Sequence, residues 1–324
     1  MMDSRIQWYP GHMAKSMRLI EENLKLVDIV LYVLDARIPR SSFNPAFNKL
    51  LGGKPVVYVL NKADLAADNE TVLWAKEYGK SGAAVKMTAT GTGAAKALPA
   101  LCRKILADKI GRYADRGVKY AAKAMIIGVP NCGKSTLINN LCGKASAKTG
   151  NMPGVTRGKQ WLRFGADLDL LDTPGVLWPD LKDQETAKHL AFAGCIKDDV
   201  LDTVQLAKTL AAELFAGGHG EGVLARYKIQ MTNDKGQMTN NYRAESREQR
   251  AEVNELKIKN EELGIKVREQ NKSNDNTDEL FNAIAKKRGC LEKGGGVDAL
   301  RCAGVILEDF RTGKFGRITL ENVK

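Results

Sequence analysis

The chain has 324 residues, 44% hydrophobic and 27% charged with only 9 Pro, which excludes wholesale disorder, a collagen-like repeat and a disulfide scaffold. At roughly 150 residues per domain, two globular domains are expected. The 50 Lys and Arg against 38 Asp and Glu give a net charge of +12, which favours polyanionic partners without identifying one.

No apolar run approaches the roughly 20 residues that cross a bilayer, and Met1 to Arg5 open no secretory apolar stretch. The 6 cysteines contain no Cys-x-x-Cys pair and form no zinc spacing with the 3 histidines, so a reducing, cytoplasmic setting is expected. Met13, Met17, Ile20, Leu24 and Val27 then recur at three- and four-residue intervals, the spacing of one face of an amphipathic helix. Asp28 to Asp35 and Pro55 to Leu60 are almost wholly apolar and end in polar residues, as strands buried on both faces of a parallel sheet do. Strand-like runs recur at Val85 to Met87, Ala124 to Val129 and Leu168 to Leu171, with helical stretches at Thr71 to Tyr78, Ala97 to Leu106 and Ser135 to Leu141. The alternation predicts an α/β domain at residues 1–180 with a doubly wound, mostly parallel sheet.

Beyond Asp180 the strand signal fades. Glu185 to Cys195, Thr203 to Phe215 and Thr277 to Lys287 read as helices, predicting a smaller, mostly α-helical domain at residues 181–324. It carries a polar insertion at about 232–276. The charged middle of that insertion, Tyr242 to Gln270, reads either as a solvated helix or as a disordered insert, and a partly ordered surface element is the favoured form.

Gly128-Val129-Pro130-Asn131-Cys132-Gly133-Lys134-Ser135 has the G-x-x-x-x-G-K-[ST] form, between a strand-like run and a helical stretch opening at Thr136. Its glycines let the amides of Asn131, Cys132, Gly133 and their neighbours up to Thr136 curl around phosphate oxygens. Lys134 neutralises the terminal phosphates and the Ser135 hydroxyl coordinates Mg²⁺. An unliganded glycine turn is the plain alternative.

Such a loop serves ATP and GTP alike. The base is chosen elsewhere, and Asn61-Lys62-Ala63-Asp64 supplies an N-K-x-D arrangement at a strand end. The Asp64 carboxylate accepts from guanine N1–H and the 2-amino group, Asn61 meets the N7 and O6 side, and Lys62 covers the ring. Adenine would leave Asp64 unsatisfied at a cost of roughly 1–3 kcal/mol. A backbone amide of Thr88-Ala89-Thr90 is offered to guanine O6.

Asp172-Thr173-Pro174-Gly175 matches D-x-x-G, with Asp172 holding Mg²⁺ through water and the Gly175 amide meeting the γ-phosphate. Thr156 sits where a switch threonine closes over the metal, although an ordinary Gly/Pro loop has the same composition. Val176 follows D-x-x-G where many GTPases carry a glutamine, so another residue must position the attacking water. The side-chain carbonyl of Asn131 is a candidate K⁺ ligand beside the phosphates, or a residue that only shapes the loop.

The base motif precedes the phosphate loop by 67 residues, the reverse of the common order, so the predicted P-loop GTPase domain is circularly permuted. As a consequence, the segment after Gly175 leads straight into the C-terminal helices.

This order, with Trp8-Tyr9-Pro10-Gly11-His12-Met13-Ala14-Lys15 and the tail from Arg288-Gly289-Cys290 to Arg317-Ile318-Thr319, resembles the ribosome biogenesis GTPase A (YlqF/RbgA-type) family over nearly the whole chain. The chain departs from the family at the insertion and at Thr88-Ala89-Thr90, where Ser-Ala is commoner. The resemblance implies a GTPase that assists late assembly of the large (50S) ribosomal subunit. It would associate with the precursor particle in the GTP state and leave on hydrolysis, its helical domain contacting rRNA; no DNA partner is expected.

The resemblance also implies that His12 is the catalytic histidine, with helix capping or RNA binding as alternatives, and that an Asn at position 131 accompanies potassium dependence. The basic residues Lys286, Lys287, Arg288, Arg301, Arg311, Lys314 and Arg317 would face RNA, around a core including Phe281, Ile284, Val305, Ile306, Leu307 and Phe310. A regulatory GTPase module recruiting a protein partner is the competing function. A metabolic P-loop kinase is disfavoured, since the base motif and D-x-x-G would then be coincidences.

Overall fold

The structure is a computed structural model and describes residues 11–91, 93–142, 160–164, 168–178, 181, 183–229 and 271–323. The first compact unit comprises Met1–Leu201 with Arg317–Lys324, the second Asp202–Gly316. The division therefore falls after Leu201 rather than after 180, and the last residues of the chain belong to the first unit.

In the first unit, α1 (Gly11–Leu24) buries Met13, Ile20 and Leu24 as its periodicity predicts, with Met17 half-buried. A six-stranded sheet follows: β1 (Ile29–Asp35), β2 (Val56–Asn61), β3 (Ala83–Lys86), β4 (Ala122–Ile127), β5 (Gln160–Phe164) and β6 (Leu168–Asp172). Its order is β3-β2-β1-β4-β6-β5, parallel throughout except for β5, which pairs antiparallel to β6 at the edge. All seven residues of β1 are buried, as expected for a central strand covered on both faces.

The intervening helices are α2 (Ala46–Leu51), α3 (Asp68–Tyr78), α4 (Ala94–Ile105), α5 (Ala107–Ala114), α6 (Lys134–Cys142) and α7 (Gln184–Phe192). From β1 the chain winds outward through β2 and β3, then returns to place β4 on the other side of β1. The carboxyl ends of β1 and β4 thus flank a topological switch point, where doubly wound sheets bind ligands.

The later division has a physical cause. Helix α7, capped by Asp183 accepting from the Glu185 amide, buries Ala187, Leu190, Ala191 and Phe192 in the first unit. The buried His189 Nδ1 lies 2.9 Å from Glu321 Oε1. The same carboxylate accepts from the Ser41 hydroxyl and, at 3.1 Å, from the Ser41 amide, while Trp74 Nε1 donates to the Glu321 carbonyl at 3.0 Å.

The second unit packs α8 (Thr203–Ala216), α9 (Gly220–Tyr227), α10 (Asn271–Arg288) and α11 (Ala299–Arg311) around Leu210, Leu214, Phe281, Ile284, Ile306, Leu307 and Phe310. Val305, expected in this core, is only half-buried. Gly222 is required in α9 because a Cβ there would lie 2.1 Å from the Phe315 carbonyl oxygen. The polar insertion lies outside the described residues, apart from the part of α10 that it overlaps.

Candidate nucleotide site

The phosphate loop leaves β4 at Gly128, turns back at Gly133 and enters α6, so its sequence geometry is realised in full. Gly128 has φ 151° and a Cβ there would sit 2.3 Å from the Val33 carbonyl oxygen of β1. Gly133 has φ 97°, with the Asn61 Nδ2 2.2 Å from where its Cβ would be. Both positions exclude side chains for strain and for space. The half-buried Ser135 and Thr136 lie in the first turn of α6, whose amides and dipole favour an anion. Lys134 is buried, its Nζ donating to the carbonyls of Val129 at 2.7 Å and Gly128 at 3.1 Å. Burial pushes the Cys132 thiol up, so it is protonated and serves the loop through its backbone.

The base motif is braced against this loop. Asn61 Nδ2 donates to the Cys132 carbonyl at 2.7 Å, and its Oδ1 accepts from the Ala89 amide at 2.8 Å. Lys62, left-handed at φ 59°, donates from Nζ to the Asn131 carbonyl at 2.6 Å and to Asp35 Oδ2 at 2.9 Å. Asp64 is exposed at the tip of its loop, where the Thr88 hydroxyl donates to its Oδ1 at 3.1 Å. The structure therefore brings Asn61, Lys62, Asp64, Thr88 and Ala89 together beside Asn131 to Ser135.

Sequence reasoning missed three residues here. Arg37 grips Asp35 through Nε at 2.9 Å and Nη2 at 2.7 Å, both side chains fully buried. Burial would raise the Asp35 carboxyl, but the Arg37 and Lys62 charges and hydrogen bonds outweigh it and hold the group well below the usual carboxylate range. Two charged residues at the end of an apolar strand were the available signal. The third, Asn140 of α6, donates to the Ala89 carbonyl at 2.7 Å and the Gly91 carbonyl at 2.9 Å; nothing in the sequence singles it out.

D-x-x-G leaves β6 beside β4, with Asp172 in register with Ile126. Asp172 is buried, and the Thr173 hydroxyl donates to the Ile126 carbonyl. Gly175 lies against the phosphate loop: a Cβ there would be 2.7 Å from Pro130 Cα and 2.9 Å from Lys134 Nζ. Val176 is buried and donates from its amide to the Gly128 carbonyl at 3.3 Å, so its side chain is packing material.

A buried carboxylate at the end of β6, next to the strand that feeds the phosphate loop, is of the kind that suits Mg²⁺, which takes few protein oxygens and completes its shell with phosphates and water. Among the described residues no group of three or more His, Cys, Asp or Glu could hold a metal ion. Asn131 has φ 56° and its Nδ2 donates to the Gly194 carbonyl at 2.7 Å, which orients the amide. Thr156 lies outside the described residues. His12 is in the first turn of α1, its side chain outside what the structure describes, so it is not placed against the phosphate loop.

One expected RNA-facing residue is elsewhere. Arg317 belongs to the first unit and hydrogen-bonds to the carbonyls of Ala63 and Ala66, because the chain turns back after Gly316. Lys286, Lys287, Arg288, Arg301 and Lys314 are exposed in the second unit as expected, and Arg311 is half-buried.

A family model described as 50S ribosome-binding GTPase matches residues 123–215. Ribosome biogenesis GTPase A of Bacillus cereus is 36% identical over 318 residues, 98% of this chain and 93% of that protein. Its counterpart in Priestia megaterium is 38% identical over 320 residues, 98% of this chain and 96% of that protein. GNP-bound YlqF from T. maritima shares the fold with a TM-score of 0.53 at 24% identity, covering 95% of this chain and 98% of that one.

Proposed function

The chain belongs to the ribosome biogenesis GTPase A family and is a GTPase acting in ribosome biogenesis, and we propose that it is an assembly factor for late maturation of the large (50S) ribosomal subunit. In this reading the GTP form associates with the precursor particle and its rRNA, and hydrolysis releases it, in the cytoplasm. The observation that carries the nucleotide half is the convergence of Asn61, Lys62, Asp64, Lys134 and Gly175 at one switch point.

Each residue then has a task. Asp64 accepts from guanine N1–H and the 2-amino group. Asn61 has one amide hydrogen on Cys132, and its second is suited to guanine N7. The amides from Asn131 to Thr136 and the Lys134 ammonium hold the phosphates. Ser135 and Asp172, with Thr156, would hold Mg²⁺, which supplies neutralisation of the charge developing on the transferred phosphoryl group. The side-chain carbonyl of Asn131 would hold K⁺ beside the phosphates. Val176 cannot orient water, and His12, on the N-terminal helix, does so.

In the second unit, exposed Lys286, Lys287, Arg288, Arg301 and Lys314 supply phosphate contacts, so binding should weaken steeply with salt. Differential affinity of the GTP and GDP forms for the particle is the coupling term.

The test is co-sedimentation with large-subunit precursors in the presence of a non-hydrolysable GTP analogue or GDP, with particle-stimulated turnover measured in KCl and NaCl. Equal binding in both nucleotide states would remove the release step. A His12→Ala variant turning over at wild-type speed would remove the histidine, and equal rates in the two salts would remove potassium. Nucleotide-dependent capture of a protein without the particle would instead favour the regulatory-module reading.

A further inference from the structure

Asp64 stands in the exposed loop between β2 and α3, and the backbone of that loop is tied down by residues at the far end of the chain. Arg317 Nη2 donates to the Ala63 carbonyl and Nε to the Ala66 carbonyl, each at 2.9 Å. The Ile318 amide donates to the Leu65 carbonyl at 2.9 Å, and the Thr319 hydroxyl accepts from the Ala67 amide at 3.1 Å. Three successive tail residues thus partner four of the five backbone units from 63 to 67.

The tail also reaches the loop after β1. The Leu320 amide donates to the Arg37 carbonyl at 2.8 Å, and the Thr319 hydroxyl donates to the Ala36 carbonyl at 3.2 Å. Arg37 in turn holds Asp35, and Asp35 holds Lys62. Both sides of the base motif are therefore clasped by Arg317 to Leu320.

We propose that Arg317 is a positioning residue for the guanine nucleotide: by bridging the carbonyls on either side of Asp64 it holds that carboxylate in its base-reading position and so sets nucleotide affinity. The proposal rests on the reading of Asp64 as the guanine acceptor. Lys62 is held at φ 59°, a backbone conformation that persists only when its surroundings over-determine it. The Leu65 amide closes one turn on the Lys62 carbonyl at 2.9 Å, the Ala63 amide donates to the Met87 carbonyl at 3.2 Å and the Thr88 hydroxyl to Asp64 Oδ1 at 3.1 Å, and the tail adds its four bonds to these. A loop already ordered loses less conformational entropy when the base arrives, which is the physical origin of the affinity.

Only a planar fork with two separated donors spans both carbonyls; a lysine ammonium at the end of its stem reaches one. The Arg317 contact with Asp68 at 3.5 Å is between exposed groups and adds little. Because GTP and GDP share the base, both should lose affinity equally. The transferred phosphoryl group is remote from the clasp, so KM should move while kcat does not.

The experiment uses full-length Arg317→Ala and Arg317→Lys, titrated with fluorescent GDP and a fluorescent non-hydrolysable GTP analogue, alongside thermal melting and steady-state GTP hydrolysis. Arg317→Ala should weaken both nucleotides by the same factor, about tenfold, with KM raised in step and kcat within about twofold of the parent. Arg317→Lys, keeping one of two bonds, should fall between, at about threefold, and supplies the comparison should the alanine variant not fold. Unchanged affinity in a folded variant overturns the proposal, as does a lowered melting temperature with unchanged affinity, since that is a purely structural role. Asp64→Asn, assayed with GTP and XTP, keeps the two readings apart. A preference that stays with GTP overturns the guanine assignment of Asp64 itself, whereas a switch to XTP with unaltered affinity in the Arg317 variants overturns the clasp alone.

Discussion

The two halves of the nucleotide site are held in different ways. The phosphate loop, residues 128–135, takes its path from two glycines with positive φ, the first turn of α6 and Lys134 folded onto the carbonyls of its own loop, and meets its neighbours through the carbonyls of Gly128, Asn131 and Cys132. The base-reading loop borrows its shape from Asp35 and Arg37, from Ala89 and Cys132, and from tail residues up to 254 positions away. The lesson is chemical. Phosphate oxygens are satisfied by clustered backbone amides, which a short glycine-rich stretch can present unaided. Discriminating a base requires a carboxylate held well away from the phosphates, and an exposed loop keeps that position only with distant support.

The comparison can be broken first at Asp35. Asp35→Asn leaves the fully buried Arg37 guanidinium without its counter-charge, so a loss of about 3–5 kcal/mol of stability is expected in chemical denaturation. The sign with pH follows from a carboxyl whose folded pKa is depressed. Its contribution is complete above the unfolded value near 3.9 and is lost as pH falls below it towards the folded one. The acid limb of the parent's stability curve should therefore flatten in the variant. A variant as stable as the parent would mean that the base side does not depend on this buried pair.

Gly133→Ala tests the phosphate loop where it meets the base motif. The added methyl meets Asn61 Nδ2 at 2.2 Å and the backbone is strained at φ 97°. A loss of about 2–3 kcal/mol in GTP binding, roughly 30- to 150-fold, is expected by calorimetric titration. Parent-like affinity would show that the two halves are not interlocked through Asn61.

The smallest effect is expected in the second unit, where Arg226 pairs with Asp309 through two bonds of 2.9 and 3.0 Å. Arg226→Ala should lower stability by about 1–2 kcal/mol in calorimetric melting, with nucleotide affinity untouched. A change in GTP affinity would show that support for the base loop extends into the helical unit.

The glycines, the Lys-Ser pair and the flanking strand and helix of the phosphate loop were legible because that geometry is local, and the buried parallel strands because a doubly covered strand is apolar at nearly every position. Other elements left little pattern. Helix α5 has eight residues and α2 six, too few for a periodicity to stand out. Helix α9 contains Gly220 and Gly222, which lower helix propensity, the second admitted for a close approach to Phe315.

The chain by itself determined the permuted motif order, the phosphate loop and the kind of base its N-K-x-D partner would read, because each is written in contiguous residues with one chemically sensible use. Only the tertiary structure decided that the first unit runs to Leu201 and takes back the tail, that Asp35 and Arg37 steady Lys62, and that Arg317 hydrogen-bonds to two carbonyls of the base loop. Those outcomes depend on which backbone carbonyls remain to be satisfied once the sheet has formed, and no local spacing of side chains records that.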